Sequence, residues 1–214
     1  MTVLLRRLPL LALAAAFVAA CGAGSTPLPT VPPATPTPTP LVTPDRSGCP
    51  TTAPDPLAAG ETRTVTITTA KGTIEIQVEA DLGPLAAGNF VALAGCGFYE
   101  GVVFHRLMPG FVIQGGDPSG TGSGGPGYQF ANDPVNVPYE RGIVAMANAG
   151  RDTNGSQFFI VLAAAGLPPD YSVFGRVTVG MDVVDAIAAM PNAGGQAGTA
   201  LDPVAMDSVT VANP

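Results

Sequence analysis

From about Glu61 onwards, the chain alternates between apolar and polar positions in a way that predicts short β-strands. Apolar residues at every second position mark half-buried strands, and here they are Val65, Ile67, Ile74, Ile76 and Val78. Residues 70–72, Ala-Lys-Gly, lie between the two runs and predict a hairpin turn. From 102 to 177, short apolar runs are separated by Gly and Pro, which is typical of a barrel or a sandwich, and residues 208–211 predict a closing strand.

Two helices are predicted within this series of strands. Pro84 suits the first turn of a helix, where no amide donor is needed, and Gly95 and Gly97 end that helix. The second helix is predicted over residues 179–190. Two helices at separated points in a chain of short strands predict an all-β domain, a closed barrel whose ends the helices cover.

The first twenty residues have a different pattern, that of an export signal. Arg6 and Arg7 precede an apolar run over residues 8–20, the order found in a secretory signal. The run is shorter than the ~20 residues that cross a bilayer as a helix, and an uncleaved membrane anchor is the alternative. Residues 18–21, Val-Ala-Ala-Cys, resemble the lipobox of bacterial lipoproteins, which implies cleavage before Cys21 and lipidation of its thiol. Cleavage at an ordinary small-residue site, which would release a soluble protein, is the second interpretation.

Residues 21–60 are predicted to form a Pro/Thr-rich tether. The Thr-Pro repeat at 35–40 can form neither helix nor sheet, because proline fixes φ and lacks an amide donor. An extended polyproline II chain of this length would reach on the order of 100 Å. The alternatives to a spacer are a ligand for a proline-reading module and a sugar-bearing stalk. The chain is therefore divided into a lipoprotein signal peptide at 1–20, the tether at 21–60 and a domain at 61–214.

Charge excludes one class of partner. The formal net charge is −7, and removal of the N-terminal segment with its two arginines would leave seven basic and sixteen acidic residues, a net of −9. An acidic surface repels phosphate backbones, so we expect no nucleic-acid partner. The chain has a single histidine, too few for a His-rich metal site, and we expect neither a metal nor another cofactor.

One segment carries most of the chemical information, residues 104–117, Phe-His-Arg-Leu-Met-Pro-Gly-Phe-Val-Ile-Gln-Gly-Gly-Asp. Further motifs follow in order: Gly-Thr-Gly at 120–122, Met-Ala-Asn-Ala-Gly at 146–150, Asn-Gly-Ser-Gln-Phe-Phe-Ile at 154–160 and Val-Phe-Gly-Arg-Val at 173–177. Together they resemble the signature of the cyclophilins, which are peptidyl-prolyl cis/trans isomerases, over about residues 64–211. The resemblance implies a closed eight-stranded antiparallel β-barrel capped by two α-helices, and rotation of X–Pro bonds without a cofactor.

Catalysis of this rotation needs a dry pocket for the proline ring and a hydrogen-bond donor directed at the twisted imide. The bond is conjugated, so its rotation barrier is ~18–20 kcal/mol, and rotation leaves a lone pair on the proline nitrogen. The resemblance assigns the donor role to Arg106, whose guanidinium is always charged, and it assigns Gln114 to hold that guanidinium in place. The alternatives are an arginine in a surface ion pair and an ordinary strand glutamine.

The resemblance also implies a set of substrate-binding residues. They form the proline pocket, the backbone clamp for the residues that precede the proline, and its supports: Phe111, Val112, Gly120, Ala147, Asn148, Gln157, Phe159, Leu167 and Tyr171. Val112 is smaller than the methionine that the family often has, and Tyr171 replaces the family's later pocket histidine. The chain has no tryptophan, and the loop around Gly166 lacks the family's drug-binding indole. We therefore expect isomerisation to be retained and cyclosporin binding to be weak.

His105 is the single histidine and lies next to Arg106, which invites an acid–base interpretation. In cyclophilins the equivalent histidine is near the site and is not thought to be the main catalyst. The surrounding sequence also lacks the pattern of a nucleophile elbow. We therefore do not assign His105 a catalytic role.

The two remaining cysteines form an even pair once Cys21 is lipidated. Disulfides persist in exported proteins, so we predict a bond between Cys49 in the tether and Cys96 just after the first helix. Two free thiols, with Cys96 as a small buried apolar residue, are the alternative. The distance between the two Cα atoms, which sequence does not give, decides between them.

Three functional classes are consistent with these motifs: an isomerase that assists the folding of exported proteins, a module that binds proline-containing peptides with little turnover, and a structural lipoprotein. Arg106 favours the enzyme, because a pure binder needs no donor at the imide. We expect a monomer that acts on proline-containing peptides and unfolded exported proteins. We expect it in the cell envelope, outside the cytoplasm and anchored to the membrane by lipid.

Overall fold

The computed structural model describes residues 45–212, so the predicted signal peptide, Cys21 and the Thr-Pro repeat lie outside the described residues. Eight strands and two helices follow one another: β1 (Thr62–Thr69), β2 (Gly72–Glu79), α1 (Pro84–Gly95), β3 (Arg106–Met108), β4 (Val112–Gly115), β5 (Ile143–Met146), β6 (Phe158–Val161), β7 (Val173–Val179), α2 (Met181–Ala188) and β8 (Ser208–Ala212).

The predicted N-terminal hairpin is confirmed. β1 and β2 pair antiparallel across the turn at residues 70–71, with Val65 opposite Ile76. The five alternating apolar residues of the two strands are all fully buried. Strands whose alternate side chains point to one face can bury that face and leave the other in solvent, as this hairpin does.

The eight strands form one antiparallel sheet that curls into a half-barrel, in the order β3-β4-β6-β5-β7-β2-β1-β8. The expectation of a closed barrel is not confirmed, because β3 and β8 are the two ends of this order and no ladder joins them within residues 45–212. Irregular chain spans the gap instead: the Phe104 amide donates to the Val204 carbonyl at 2.9 Å, and Val103 forms an isolated bridge with Ala205. The outer edge of β3 also meets irregular chain: Arg106 forms an isolated bridge with Thr199, and the Leu107 amide donates to the Gly198 carbonyl at 2.7 Å.

The first helix begins at Pro84, as predicted, and ends at Gly95. Its N-terminus has no local side-chain cap. The Asp133 carboxylate accepts hydrogen bonds from the Leu85 and Ala86 amides at 3.1 and 2.9 Å. Free amides at a helix start need acceptors, so a residue almost fifty positions away fixes where α1 lies.

Buried side chains form two separate clusters. The larger one fills the space between the sheet and the helices and contains Phe90, Tyr99, Phe104, Phe158 and Phe174. The smaller one contains Val112, Tyr139, Ile143, Ala145, Phe159, Val161 and Val173. Phe158 and Phe159 are neighbours on β6 and belong to different clusters, because successive strand residues point to opposite faces. The smaller cluster lies beneath the candidate site.

Residues 45–60, which we call the strap, pack against the domain. The Arg46 guanidinium lies 5.3 Å from the centroid of the Phe98 ring and donates from Nε to the Phe98 carbonyl at 2.9 Å. Cys49 and Cys96 are joined as a disulfide, with their Cα atoms 5.2 Å apart. Gly88 of α1 has no side chain, and a Cβ there would collide with the Asp55 carbonyl oxygen of the strap. The C-terminal part of the segment predicted as a tether, residues 45–60, therefore lies on the domain surface.

Among residues 45–212, none of the helices has the length and apolar character needed to span a bilayer. The same part of the chain contains no group of three or more His, Cys, Asp or Glu side chains placed to hold a metal ion.

Candidate functional site

Strand register brings the two predicted catalytic side chains together. Arg106 on β3 lies opposite Gln114 on β4, and Gln114 lies opposite Phe159 on β6. Residues directly opposite each other in antiparallel strands point to the same face of the sheet. Arg106, Gln114 and Phe159 therefore form a row across three strands.

A chain of hydrogen bonds holds the Arg106 guanidinium. Its Nη1 donates to Gln114 Oε1 at 3.1 Å, and Gln114 Nε2 donates to Gln157 Oε1 at 2.9 Å. Gln157 Nε2 donates in turn to the carbonyls of Gly122 and Gly124 at 3.0 and 2.9 Å. On the opposite side, Arg106 Nη2 donates to the backbone carbonyl of Gln196 at 3.0 Å. The guanidinium is thus fixed from two directions before any substrate arrives.

Beside this guanidinium lies a cavity of about 280 Å³. It is lined by both predicted catalytic residues and by seven of the predicted substrate-binding residues: Arg106, Phe111, Val112, Gln114, Ala147, Asn148, Phe159, Leu167 and Tyr171. The floor is rigid, since Val112 and Phe159 are 2% and 5% exposed and belong to the smaller core cluster. The cavity combines apolar walls with one charged group at its edge.

A turn and an aromatic pair shape the walls of the cavity. Gly110 has a φ of +75°, a conformation that favours glycine, and its turn places Phe111 directly before β4. On the other side, the rings of Phe159 and Tyr171 meet edge to face with centroids 5.6 Å apart. Such a contact is favourable for aromatic pairs and holds both rings in fixed orientations.

A wider groove of about 760 Å³ adjoins the cavity and shares Gln114, Ala147 and Asn148 with it. Gln157 lines this groove. Gly120 is the one predicted site residue that lines neither space; its φ is +67°, and a Cβ there would lie 3.3 Å from Val103 Cγ2. Gly120 therefore supports the turn of the glycine-rich loop from behind.

Asp117 organises the glycine-rich loop, residues 117–124. Its fully buried carboxylate accepts hydrogen bonds from the amides of Ser119, Gly122 and Gly124 at 2.7, 2.6 and 3.0 Å. Burial acts to raise the pKa of Asp117, but these hydrogen bonds and the Ser119 hydroxyl outweigh it and hold the pKa far below its usual range. The Gly122 and Gly124 carbonyls accept hydrogen bonds from Gln157. By fixing this loop, the Asp117 carboxylate supports the series of hydrogen bonds that ends at Arg106.

His105 packs under the same loop and does not line the cavity. The side chain is 7% exposed, and neither ring nitrogen has a hydrogen-bond partner among the described residues. Burial lowers the pKa of His105; the Asp117 carboxylate opposes this shift, and the Arg106 charge adds to it. The ring is therefore neutral in the folded protein at neutral pH, which fits a packing role.

The depressed pKa of His105 predicts acid sensitivity of the fold. The unfolded chain binds a proton at this side chain near pH 6.5, whereas the folded protein resists protonation to a lower pH. Stability should therefore be fully present above about pH 6.5 and should decrease as the pH falls below it. Thermal unfolding at several pH values between 8 and 5 measures the effect. In His105→Gln, stability should depend less on pH over this range, because the chain has no other histidine. An equal dependence of stability on pH in the wild type and in His105→Gln would contradict the prediction that His105 causes the acid sensitivity.

Sequence reasoning missed three groups that shape the site. The Asp117 carboxylate had a visible signal, since Asp117, Ser119 and the glycines around them form the pattern of a side-chain-capped turn. The Gln196 carbonyl and Tyr139 had none, because a backbone acceptor and a core tyrosine have no distinctive local pattern. Their roles appear only when distant segments meet.

The geometry suits one kind of ligand chemistry. The cavity offers apolar walls to a ligand, and the fixed Arg106 guanidinium lies at its edge. A donor held in place in a partly dry site stabilises charge that develops during a reaction more strongly than water does. Rotation about an imide needs this arrangement, with neither a nucleophile nor a metal.

Known proteins with similar sequences and folds agree with this interpretation. The family model described as cyclophilin type peptidyl-prolyl cis-trans isomerase/CLD matches residues 64–211. A peptidyl-prolyl cis-trans isomerase of Helicobacter pylori is 45% identical over 132 residues, covering 59% of this chain and 81% of that protein. A probable peptidyl-prolyl cis-trans isomerase A of Mycobacterium bovis is 39% identical over 186 residues, covering 76% of this chain and 98% of that protein.

Solved structures give the same result. The crystal structure of a cyclophilin type peptidyl-prolyl cis-trans isomerase from Cryptosporidium parvum superposes with a TM-score of 0.66 at 32% identity, covering 72% of this chain and all of that chain. A second structure of that protein, determined in the presence of the dipeptide Ala-Pro, gives a TM-score of 0.65.

The fold and the site thus define an isomerase of proline peptide bonds. The chain belongs to the cyclophilin-type peptidyl-prolyl cis-trans isomerases. The predictions of this family, of an enzyme and of proline-containing peptides as substrates are confirmed at that level.

Proposed function

We propose that this isomerase acts through Arg106, which donates to the proline nitrogen as the imide twists. One observation carries the proposal: the guanidinium lies at the edge of a small apolar cavity and is fixed by Gln114 on one side and by the Gln196 carbonyl on the other. Rotation exposes a lone pair on the nitrogen, and a donor that is already oriented can stabilise it without reorganisation. Gln114 positions the guanidinium.

The remaining lining residues bind the substrate in this proposal. Phe111, Val112, Phe159, Leu167 and Tyr171 enclose the proline ring. The Ala147 and Asn148 backbone, in the wider groove, receives the residues that precede the proline. Gln157 supports this clamp, because its carbonyl accepts the Ala147 amide at 2.9 Å. Substrate affinity and rotation thus depend on separate groups.

An assay with the purified protein distinguishes an enzyme from a proline-binding module. An enzyme accelerates cis-to-trans conversion of X–Pro peptides at substoichiometric concentration. A module would bind the same peptides without acceleration. Peptide binding without turnover would therefore overturn the proposed mechanism and favour the second function.

We propose further that the protein works as a monomer outside the cytoplasm, on unfolded exported proteins, anchored to the membrane by lipid on Cys21. The support is the sequence of the first 21 residues, a charged start, an apolar run and the lipobox-like Val-Ala-Ala-Cys. Several acyl chains at ~0.8 kcal/mol per buried methylene would give firm anchoring. A disulfide between Cys49 and Cys96 fits the same oxidising compartment.

The strap shortens the spacer that this proposal requires. Because residues 45–60 pack against the domain, residues 22–44 alone would separate it from the lipid. At the rise of an extended polyproline II chain, they would span roughly 70 Å. That distance still allows a small domain to meet unfolded chains away from the membrane surface.

Lipidation of Cys21 is expected to be visible by mass spectrometry. Protein isolated from its native membrane should begin at an acylated Cys21, and Cys21→Ser should carry no acyl chain. The variant leaves the domain unchanged and serves as its own folding control, since its isomerase activity should equal that of the wild type. A free N-terminus at any other residue of the wild-type protein would contradict the lipoprotein assignment.

A further inference from the structure

Tyr139 joins both ends of the loop that forms one wall of the cavity. This loop, residues 163–171, carries Leu167 and Tyr171. Near its start, the Ala165 amide donates to the Tyr139 carbonyl at 2.9 Å. At its end, the Tyr139 hydroxyl donates to the Tyr171 carbonyl at 2.9 Å and accepts from the Tyr171 amide at 3.1 Å. One residue thus makes three hydrogen bonds to the wall.

Three side chains of the loop pack against the smaller core cluster, and few hydrogen bonds from outside the loop hold its backbone. Residues 163–170 belong to no strand or helix, and most of them are exposed; only Ala165, Leu167 and Tyr171 are half-buried. Besides Tyr139, the side-chain amides of Asn132 and Asn148 donate to the Asp170 carbonyl at 2.7 and 2.9 Å. Because the other residues of the loop are exposed, its backbone depends on these hydrogen bonds for a fixed position.

Tyr139 itself is rigid. It is 5% exposed and belongs to the smaller core cluster, together with the cavity floor residues Val112 and Phe159. Its ring centroid lies 6.4 Å from that of Phe159 and 6.3 Å from that of Tyr171. The hydroxyl therefore projects from a packed core onto a loop that is mostly in solvent.

We infer that Tyr139 is a positioning residue for substrate binding, whose hydroxyl holds Leu167 and Tyr171 in the wall that receives the proline ring. The inference rests on the proposed function, in which this cavity takes the ring. Without the hydroxyl, the substrate would have to order the loop as it binds, and that cost would appear as weaker affinity. Rotation of a bound substrate depends on Arg106, which Tyr139 does not touch, so the turnover at saturation should stay the same.

Tyr139→Phe tests this role, because it removes the hydroxyl and keeps the ring. Tyr99→Phe is the matched control. It also removes a buried hydroxyl, one that donates to the Ser156 carbonyl at 3.0 Å, but Tyr99 lies in the larger core cluster and contacts neither Leu167 nor Tyr171. The measurements are the dissociation constant of a proline-containing tetrapeptide, the turnover at saturation, the thermal midpoint, and hydrogen exchange at the Tyr171 amide.

We expect Tyr139→Phe to weaken peptide binding about tenfold, equivalent to ~1.4 kcal/mol at 25 °C. Turnover at saturation should be unchanged, and exchange at the Tyr171 amide should become faster. Tyr99→Phe should lose about as much thermal stability as Tyr139→Phe but should bind the peptide with the affinity of the wild type. Unchanged affinity in Tyr139→Phe, or equal weakening in both variants, would overturn the inference, and in the second case Tyr139 would be an ordinary core residue. If the wild type bound no peptide, the proposed function itself would fail, which is a distinguishable result.

Discussion

Replacement of Arg106 by alanine is expected to lower the rate of X–Pro isomerisation ~10²–10³-fold while the fold stays intact. The loss is large because, among the described residues, the guanidinium is the one charged group that lines the cavity, and its fixed position avoids the reorganisation that water would need. The fold should survive because Arg106 is only half-buried and belongs to neither core cluster. The rate is measured as cis-to-trans conversion of a proline-containing peptide, and the fold by thermal unfolding.

Two further variants separate the donor from the charge. Arg176→Ala removes an arginine whose Nε pairs with Glu79 at 2.7 Å on the surface of β7, outside the cavity, and should leave the rate unchanged. Arg106→Lys keeps the positive charge but lacks the planar guanidinium that bonds Gln114 and the Gln196 carbonyl together. Its rate should therefore lie between those of the wild type and Arg106→Ala. A wild-type rate in Arg106→Ala at unchanged stability would contradict the mechanism.

Removal of the Cys49–Cys96 bond is expected to produce the largest loss of stability among these predictions, about 2–4 kcal/mol. The bond joins residues 47 positions apart, and the chain-entropy model gives ~4 kcal/mol for a loop of that size. We expect a value below this, because the strap forms part of the loop that the disulfide closes, and it can detach while the half-barrel stays folded. For a domain of this size, the loss corresponds to a fall of roughly 5–15 °C in Tm.

Cys49→Ser, the double variant Cys49→Ser/Cys96→Ser and the reduced wild-type protein should all show the same lowered Tm. Isomerase activity should be retained in all three, since neither cysteine lines the cavity or the groove. Equal midpoints for oxidised and reduced wild-type protein would show that the bond contributes nothing. In that case the noncovalent contacts of the strap would be sufficient to hold it, among them those of Arg46 with Phe98 and of the Leu57 amide with the Pro84 carbonyl.

Local patterns were sufficient for elements whose structure depends on neighbouring residues. The alternation at Val65, Ile67 and Ile74 predicted the hairpin, and Pro84 and Gly95 marked both ends of α1. The second helix was predicted too early, at residue 179. Val179 remains in β7, paired with Glu75 of β2, and Gly180 in the left-handed region with a φ of +89° separates strand from helix. Pairing with a distant strand overrode the local helical pattern.

The motifs located the site, but the tertiary structure decided how it works. Nine of the predicted catalytic and substrate-binding residues line one cavity. The register of β3, β4 and β6 brings four of them there, Arg106, Val112, Gln114 and Phe159, and the other five lie on connecting segments. Gly120 lines neither space, and the carboxylate of Asp117 proves to be the centre of its loop. A sequence motif does not say which of its members face a ligand and which support those that do.

Patterns in the sequence predicted the family, the N-terminal hairpin, the first helix and nine residues that line one cavity. Only the folded chain shows that irregular segments bridge the half-barrel, that Asp133 caps α1, that the strap lies on the domain surface, and that Tyr139 is hydrogen-bonded to the cavity-wall loop. The difference is one of range. Periodicity, turns and motifs act between residues close in sequence, whereas each of the other features depends on groups at least twenty positions apart whose separation only the folded chain sets.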